Sequence, residues 1–508
     1  MKNYINIIGS AIACCLIMPL HLFVVNYPQI AIQNMLLVVA IFLAIFACIF
    51  SVLQIFFRNV SKSSLLMYVI GGSFWLSYPI AKFFVDYFDL INFVYRIKYR
   101  WFFLFLGCFF FVFVFVFILK HCPKFIEKLS NILALFVLVL TGLLITYGCK
   151  NFLMYSEKEN KNLIENYEIA EEKQYPNIYH ILLDAHPNQK SMEIMGGDLK
   201  PFYQKLENLG FVTFPDSRSN YFKTIWSVPS MLNMDYLEEG WEQKRYSYLF
   251  NLAQSGKVFK HLTAKGYSIN ISIHTDIIAP FYPVIYIKNN SIQSGVFSYF
   301  NTLLSKTPIS HFFKFYFSKF FKQAWIRSIN KSFEYLENCK NIYGTYNNLF
   351  YVHFLCPHVP IVFDDESNPY LNFAGFCELD NSAVLTEVST HKSYCRNVYG
   401  IDNLALEAIR KIISQYKTES VQPIIILHSD HSMLGAPWIK SPCITLDTVY
   451  GNLLALYVHD EWKQEVKDLK FINLYRWIFN HLFQEKYKYL EDKIEGYDFD
   501  WSSIGVAH

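Results

Sequence analysis

Between Asn3 and Phe57 the chain carries no Asp, Glu, Lys or Arg. A charge-free run of that length is rare inside a soluble core and long enough to cross a bilayer more than once. Five stretches meet that length. They are Ile5 to Val25, which ends near Asn26-Tyr27-Pro28, and Met35 to Phe57, stopped by Arg58. They continue with the interval between Lys62 and Lys82, the Phe-dense Trp101 to Leu119, and the interval between Lys128 and Lys150. Further spans follow the first and no small-residue cleavage site stands out, which argues against a cleaved signal peptide. Residues 1–150 are therefore expected to form an N-terminal bundle of five transmembrane helices.

Loop charges set the orientation. With the N-terminus in the cytoplasm, the inner side carries Lys2, Arg58, Lys62, Lys120, Lys124 and Lys128. The outer side carries Lys82, Arg96, Lys98 and Arg100, all between the third and fourth spans. An odd number of spans places everything after Lys150 outside the cytoplasm. The stretch from Asp86 to Arg100 mixes aromatic and charged residues, as a segment lying on a membrane surface does.

The whole chain is 53% hydrophobic and only 17% charged, but the apolar excess sits in the first part. A net charge of +3 is too small to suggest a nucleic-acid partner. The eleven cysteines show neither a CxxC pair nor zinc-finger spacing. An exported domain permits disulfides, and the spacing does not fix their pairing.

Beyond the spans, 151–175 reads as a linker that is helical from Ser156 to Lys173, and Pro176 opens a second domain, 176–508. Short apolar runs at Asn177 to Leu183, Tyr267 to Ile273, Asn348 to Leu355, Pro423 to Leu427 and Asn452 to Val458 read as strands. Helical patterns separate them, among them Ser191 to Leu209, stopped by Gly210, and Asp402 to Tyr416. Strands alternating with helices imply an α/β domain with a largely parallel central sheet.

Three of the runs end in residues that bind metals. Asp184 follows the first, Cys356-Pro357-His358-Val359-Pro360 follows the third, and His428-Ser429-Asp430-His431 follows the fourth. Ligands of open α/β sheets gather beyond the carboxyl ends of the strands, so fold and ligand positions agree. A hydroxyl nucleophile is available at Thr224, which is followed by Ser227-Val228-Pro229-Ser230. A threonine hydroxyl is useful at neutral pH when a metal lowers its pKa. Asp184, Thr224, Asp430 and His431 make a mixed oxygen and nitrogen ligand set, which suits zinc or manganese.

The order strand-Asp, Thr-x-x-Ser-x-Pro, Pro-His-x-Pro and strand-Asp-His resembles the alkaline phosphatase/sulfatase superfamily. It is most similar to the superfamily's membrane-anchored transferases, the lipid A phosphoethanolamine transferases and lipoteichoic acid synthases. Thr224-Ile225-Trp226-Ser227-Val228-Pro229-Ser230-Met231 matches the nucleophile run of the former except for Ser230 in place of Cys. Ser429-Asp430-His431 matches their Ser-Asp-His-Gly metal motif with Ser432 in place of Gly. Pro357-His358-Val359-Pro360 is similar to the segment whose histidine contacts the substrate phosphate. The departures are Asp184 where the transferases usually have Glu, and the absence of any His between His431 and His459.

The resemblance implies a catalytic pair, Thr224 and His358, and a metal held by Asp184, Thr224, Asp430 and His431. It implies a bacterial inner-membrane protein with an extracytoplasmic catalytic domain. Such a protein would move a phospho-head group from a phospholipid donor to an envelope glycan or lipid through a phospho-threonine. One alternative is a phosphodiesterase or sulfatase that uses water as acceptor, with Ser227 as the modified residue of a Ser-x-Pro-Ser site. That site lacks its usual Arg, which is Met231 here. A non-catalytic membrane scaffold is the other.

Several residues carry weaker signals. Lys223 and Arg218 flank Thr224 and could bind a phosphate or simply face solvent. His428, His353 and His274 with Asp276 read as core. Tyr399, Asp402 and Asn403 read as the start and cap of a helix. His180 and His186 flank Asp184.

Overall fold

The computed structural model describes residues 32–71, 123–163, 173–241, 255–273, 310–358, 361–369, 387–433 and 445–495, with scattered positions besides. The chain divides into two compact units, Met1–Glu159 with Ser291–Phe317, and Asn160–Asn290 with Ser318–His508.

In the first unit, helix α1 (Ile32–Phe57) and helix α2 (Pro123–Leu163) contain segments long and apolar enough to cross a membrane, Met35–Phe57 and Glu127–Cys149. Only 17% and 11% of their most apolar windows are buried. Phe56 is 80% exposed and Ile55 74%, which a core helix of a water-soluble protein would not tolerate and a bilayer would. A small core of Val38, Phe42, Phe46, Leu65, Leu66 and Val137 packs beside them. These helices are the second and fifth expected spans. The third is described only as far as a shorter apolar helix, Val60–Gly71. The first is described in part, and the fourth and the Asp86 to Arg100 segment lie outside the described residues. Helix α2 runs on past the span to Leu163, into the expected linker.

The second unit is built on a seven-stranded sheet. Its strands are β1 (Ile178–Leu183), β2 (Val212–Thr213), β3 (Ser268–Ile273), β4 (Ile285–Tyr286), β5 (Asn348–Phe354), β6 (Ile424–His428) and β7 (Leu454–Tyr457), in the order β2-β7-β6-β1-β5-β3-β4. The β6, β1, β5, β3 and β4 pairings are parallel, and β7 runs antiparallel to β6 and β2. The sheet is thus largely parallel with one reversed strand. Its helices are α3 (Gln189–Ile194), α4 (Lys200–Asn208), α5 (Thr224–Asn233), α6 (Lys257–Ala264), α7 (Ser310–Tyr343, from Ser318 onward), α8 (Glu387–Gln415), α9 (Leu446–Val449) and α10 (Leu474–Phe483).

Strand β1 is buried along its whole length. Tyr179, Ile181 and Leu183 enter one core with Phe350, Val352, Phe354, Ile425 and Leu427. Ile178 and Leu182 enter another with Leu349, Tyr351, Ile424 and Ile426. Alternate residues of one strand thus feed two cores, so the sheet is covered on both faces, as parallel sheets require. Each large apolar side chain buried this way contributes about 1.5–3 kcal/mol.

Three sequence expectations need correction. The single helix from Ser191 to Leu209 is two, because Gly196 takes a left-handed φ of +80° and Pro201 starts a new helix. Helix α8 starts at Glu387, so Tyr399, Asp402 and Asn403 lie within it and cap nothing. The strands β2 and β4 went unread because two residues are too short to show alternation. Among the described residues, Cys14, Cys48, Cys149, Cys339, Cys356 and Cys395 are free thiols.

Candidate metal centre

The carboxyl ends of β6, β1 and β5, three parallel neighbours, carry the site. Asp184 follows β1, and its N–H donates to the Phe354 carbonyl on β5 (2.9 Å). Its own carbonyl accepts the N–H of His358 (2.9 Å), which fastens the loop after β5 to the loop after β1. Asn397 on α8 braces that loop from behind. Its Nδ2 donates to the Pro357 carbonyl (3.0 Å), and its Oδ1 accepts from Val362 and Phe363 N–H (3.1 and 3.0 Å). After β6, the Ser429 hydroxyl donates to the His186 carbonyl (2.5 Å) and accepts the Leu453 N–H (2.9 Å), tying β6, β7 and the β1 loop together.

Each carboxylate has one oxygen engaged and one bare. Asp430 Oδ1 accepts the Ala185 N–H (3.1 Å), and Asp184 Oδ2 accepts from His353 Nε2 (3.3 Å). Asp430 Oδ2 and Asp184 Oδ1 are buried without a hydrogen-bond partner. Those two oxygens lie 3.4 and 3.7 Å from His431 Nε2. The other ring nitrogen, His431 Nδ1, donates to the Ser432 carbonyl (2.8 Å), so in the neutral ring Nε2 is left as a bare lone pair. Thr224 Oγ1 lies 3.2 Å from the same Nε2. Orphaned buried oxygens normally cost stability, and a cation removes that cost. An ion with ligands at about 2.0–2.2 Å holds them roughly 3–4 Å apart. Asp184, Asp430 and His431 therefore fit a divalent metal, with their ligand atoms all within 4.8 Å of one another.

The electrostatics match. Burial would raise the Asp184 carboxyl, but His358, His353 and His431 outweigh it and hold it at about 2. Burial opposes charge on His431, yet Asp430 and Asp184 raise its pKa, while Lys223 pulls the other way. The cluster is an anionic hole that draws cations.

Thr224 is the first residue of α5. Lys223 precedes it in extended conformation and its carbonyl accepts the Trp226 and Ser227 N–H groups (3.0 and 2.9 Å). The hydroxyl therefore stands at a helix N-terminus, where backbone N–H groups favour an anion. Ser227 lies one turn on. Its hydroxyl is buried without a hydrogen-bond partner, and the residue is 1% exposed. It makes no hydrogen bond to the cluster.

The remaining sequence candidates sort as follows. His353 is core, as expected, but it also contacts Asp184, a link created by the register that pairs it with Leu182. His428 is core too: its Nε2 meets His180 Nε2, and His180 Nδ1 meets the Tyr475 hydroxyl. Burial and neighbouring histidines hold the His180 pKa well below its ordinary value, and burial holds His428 at about 3. His186 turns away from the cluster and bonds Asp402 (2.7 Å). Arg218 pairs with Asp447 and Asp492 (3.2 and 3.3 Å). His274 and Asp276 lie outside the described residues. Asn397 gave no sequence signal, because a mid-helix Asn is ordinary until the loop it braces is known.

Fold and site together define a largely parallel α/β domain with a carboxylate–histidine cluster and a hydroxyl at its strand ends. No family model and no curated protein matches the sequence. Among solved structures, the chain is similar to the C-terminal periplasmic domain of phosphoethanolamine transferase EptC from Campylobacter jejuni (13% identity, 66% of this chain and 94% of that one, TM-score 0.39). It is similar to the integral membrane lipooligosaccharide phosphoethanolamine transferase A from Neisseria meningitidis (12% identity, 93% and 95%, TM-score 0.39). It is also similar to a putative sulfatase, YidJ, from Bacteroides fragilis (15% identity, 62% and 75%, TM-score 0.39).

Proposed function

We propose that the chain is a metal-dependent phosphotransferase of the cell envelope. The observation that carries this reading is the convergence of two bare carboxylate oxygens and the Thr224 hydroxyl on His431 Nε2. In this reading Asp184, Thr224, Asp430 and His431 hold one divalent ion, zinc or manganese. The ion, when bound, supplies a lowered hydroxyl pKa and positive charge beside the phosphoryl group.

Thr224 Oγ1 gives up its proton to solvent and forms a bond to the phosphorus of a phospholipid head group. The bond from phosphorus to the diacylglycerol oxygen breaks, and that oxygen takes a proton from His358. The first turn of α5 receives a phosphoryl oxygen on its N–H groups. In the second half, a hydroxyl or phosphate oxygen of an envelope glycan or lipid gives any proton it carries to the now neutral His358 and forms a bond to phosphorus. The bond from phosphorus to Thr224 Oγ1 breaks, and Oγ1 takes a proton from solvent. The head group is phosphoethanolamine or phosphoglycerol.

Residues 1–150 form the membrane domain of five spans, 151–175 the linker, and 176–508 the extracytoplasmic catalytic domain of a bacterial inner-membrane protein. Spans in the same chain keep the site beside an amphiphilic donor and acceptor, which a hydrolase of small soluble esters would not need. The buried, unpartnered Ser227 hydroxyl speaks against the formylglycine reading. Four competent site residues drawn together speak against a scaffold.

The test is mass spectrometry of lipids and envelope glycans from a strain lacking the gene. A glycan or lipid that loses a phospho-head group, regained with the wild-type gene and not with Thr224→Ala, supports the reading. An unchanged envelope with accumulated sulfate esters contradicts it.

A further inference from the structure

Lys223 directly precedes the proposed nucleophile, and its side chain, though exposed, lies over aromatic rings. Its Nζ lies 4.8 Å from the centre of the Trp226 ring and 5.2 Å from that of Phe222. Those rings are fixed. Trp226 is wedged edge-on against Trp241 (4.5 Å) and Phe222 (5.1 Å), and Phe222 against Tyr450 (5.9 Å). Trp226 and Phe222 are both buried. The lysine ammonium thus stands over a packed aromatic floor made by the residues two before and two after Thr224 in the chain. Its ammonium is near enough to His431 for its charge to be felt there. The neighbouring cation Arg218 is engaged by Asp447 and Asp492.

The charge count gives this placement a purpose. Asp184 and Asp430 balance one divalent ion, and the protonated His358 of the proposed mechanism balances an incoming monoanionic ester. Thr224 adds one more negative charge as it loses its proton, and one further cation beside it makes the reacting site neutral. An ammonium on an aromatic face is well suited to supply it, because a cation–π contact at an exposed site is weak and can be exchanged for an oxyanion.

We infer that Lys223 contacts the non-bridging oxygens of the substrate and commits the site to anionic tetrahedral esters. This rests on the phosphotransferase reading, and the experiment separates the two. Full-length protein in detergent is loaded with zinc, as wild type, Lys223→Met and Lys223→Arg. Metal content and melting temperature are checked to be equal among the three. Binding of inorganic phosphate and of sulfate is measured by calorimetry, and release of labelled diacylglycerol from fluorescent phosphatidylethanolamine and phosphatidylglycerol is followed in parallel.

The expected result is phosphate affinity about 10- to 100-fold weaker in Lys223→Met, the size of one lost charge-assisted contact, with Lys223→Arg within a few-fold of wild type. Turnover falls by a similar factor wherever wild type turns over lipid. Equal phosphate affinity in Lys223→Met and wild type, or no phosphate binding by wild type, overturns the assignment of Lys223. A phosphate difference that stands while wild type releases no diacylglycerol from either lipid overturns the transferase reading and leaves Lys223 in place. Sulfate bound far more tightly than phosphate, with the same dependence on Lys223, moves the ester class to sulfate.

Discussion

Thr224 Oγ1 lies 3.2 Å from His431 Nε2, although 207 residues separate them in the chain. The two meet because α5 starts where β6 ends. Asp184 and Asp430 then add one bare oxygen each to the same point.

Removal of ligands should therefore remove the metal. Asp430→Ala and His431→Ala are expected to lose bound zinc or manganese and activity together while staying folded, because each deletes a proposed ligand from a buried anionic cluster. His353→Gln should act one step removed. Its Nε2 holds Asp184 Oδ2 and leaves Oδ1 for the ion. Loss of such an orienting partner weakens metal affinity by about 10- to 100-fold. Metal titration of each variant reads this directly. Full metal content in the Asp430→Ala, His431→Ala double variant would rule out the ligand set.

Ser227 and Thr224 should behave oppositely. The Ser227 hydroxyl is buried with nothing to bond. Ser227→Ala removes an unsatisfied group and should leave activity intact and stability unchanged or raised by about 1 kcal/mol. Thr224→Ala should abolish activity without unfolding the protein, and Thr224→Ser should keep part of it. Activity lost in Ser227→Ala and kept in Thr224→Ala would reverse the assignment.

The buried histidine pair makes stability depend on pH. Burial first, then the charges of His428 and His353, keep His180 neutral with a folded pKa well below its ordinary value. Its unfolded value is about 6.5, so the unfolded chain takes up a proton that the folded chain refuses. The stability from neutral His180 is present above pH 6.5 and declines as pH falls below it. Between pH 6 and 5 the decline reaches at most about 1.4 kcal/mol per pH unit for this one group. Denaturant melts of His180→Gln should show a shallower slope over that window than wild type. Parallel slopes would mean that His180 is already protonated in the fold.

The cluster residues Asp184, Asp430 and His431 were legible in sequence because each lies at or just beyond the end of an apolar run. A strand that must be buried on both faces is written as consecutive apolar residues, and the polar residues that follow within a few positions mark the sheet edge. Asp184, Asp430 and His431 are read that way, and Thr224 by the run that follows it. The supporting contacts were not legible. His353 reaches Asp184 only through the β1–β5 register, and Asn397 reaches the His358 loop only through the packing of α8. The start of α8 at Glu387 was missed because the apolar periodicity is clear only from about Asp402 onward. The membrane part shows the reverse balance: composition speaks plainly for spans, while the described helices carry two of them.

The central claim is that Thr224 becomes covalently modified by the donor. Purified full-length protein, loaded with metal, is incubated with head-group-labelled phospholipid in the absence of any acceptor, and the modified peptide is mapped by mass spectrometry. The account predicts a head-group phosphate on Thr224, released when an acceptor is added and absent in Thr224→Ala. A formylglycine mass shift at Ser227 with Thr224 unmodified, or diacylglycerol release with no adduct on the chain, would contradict it.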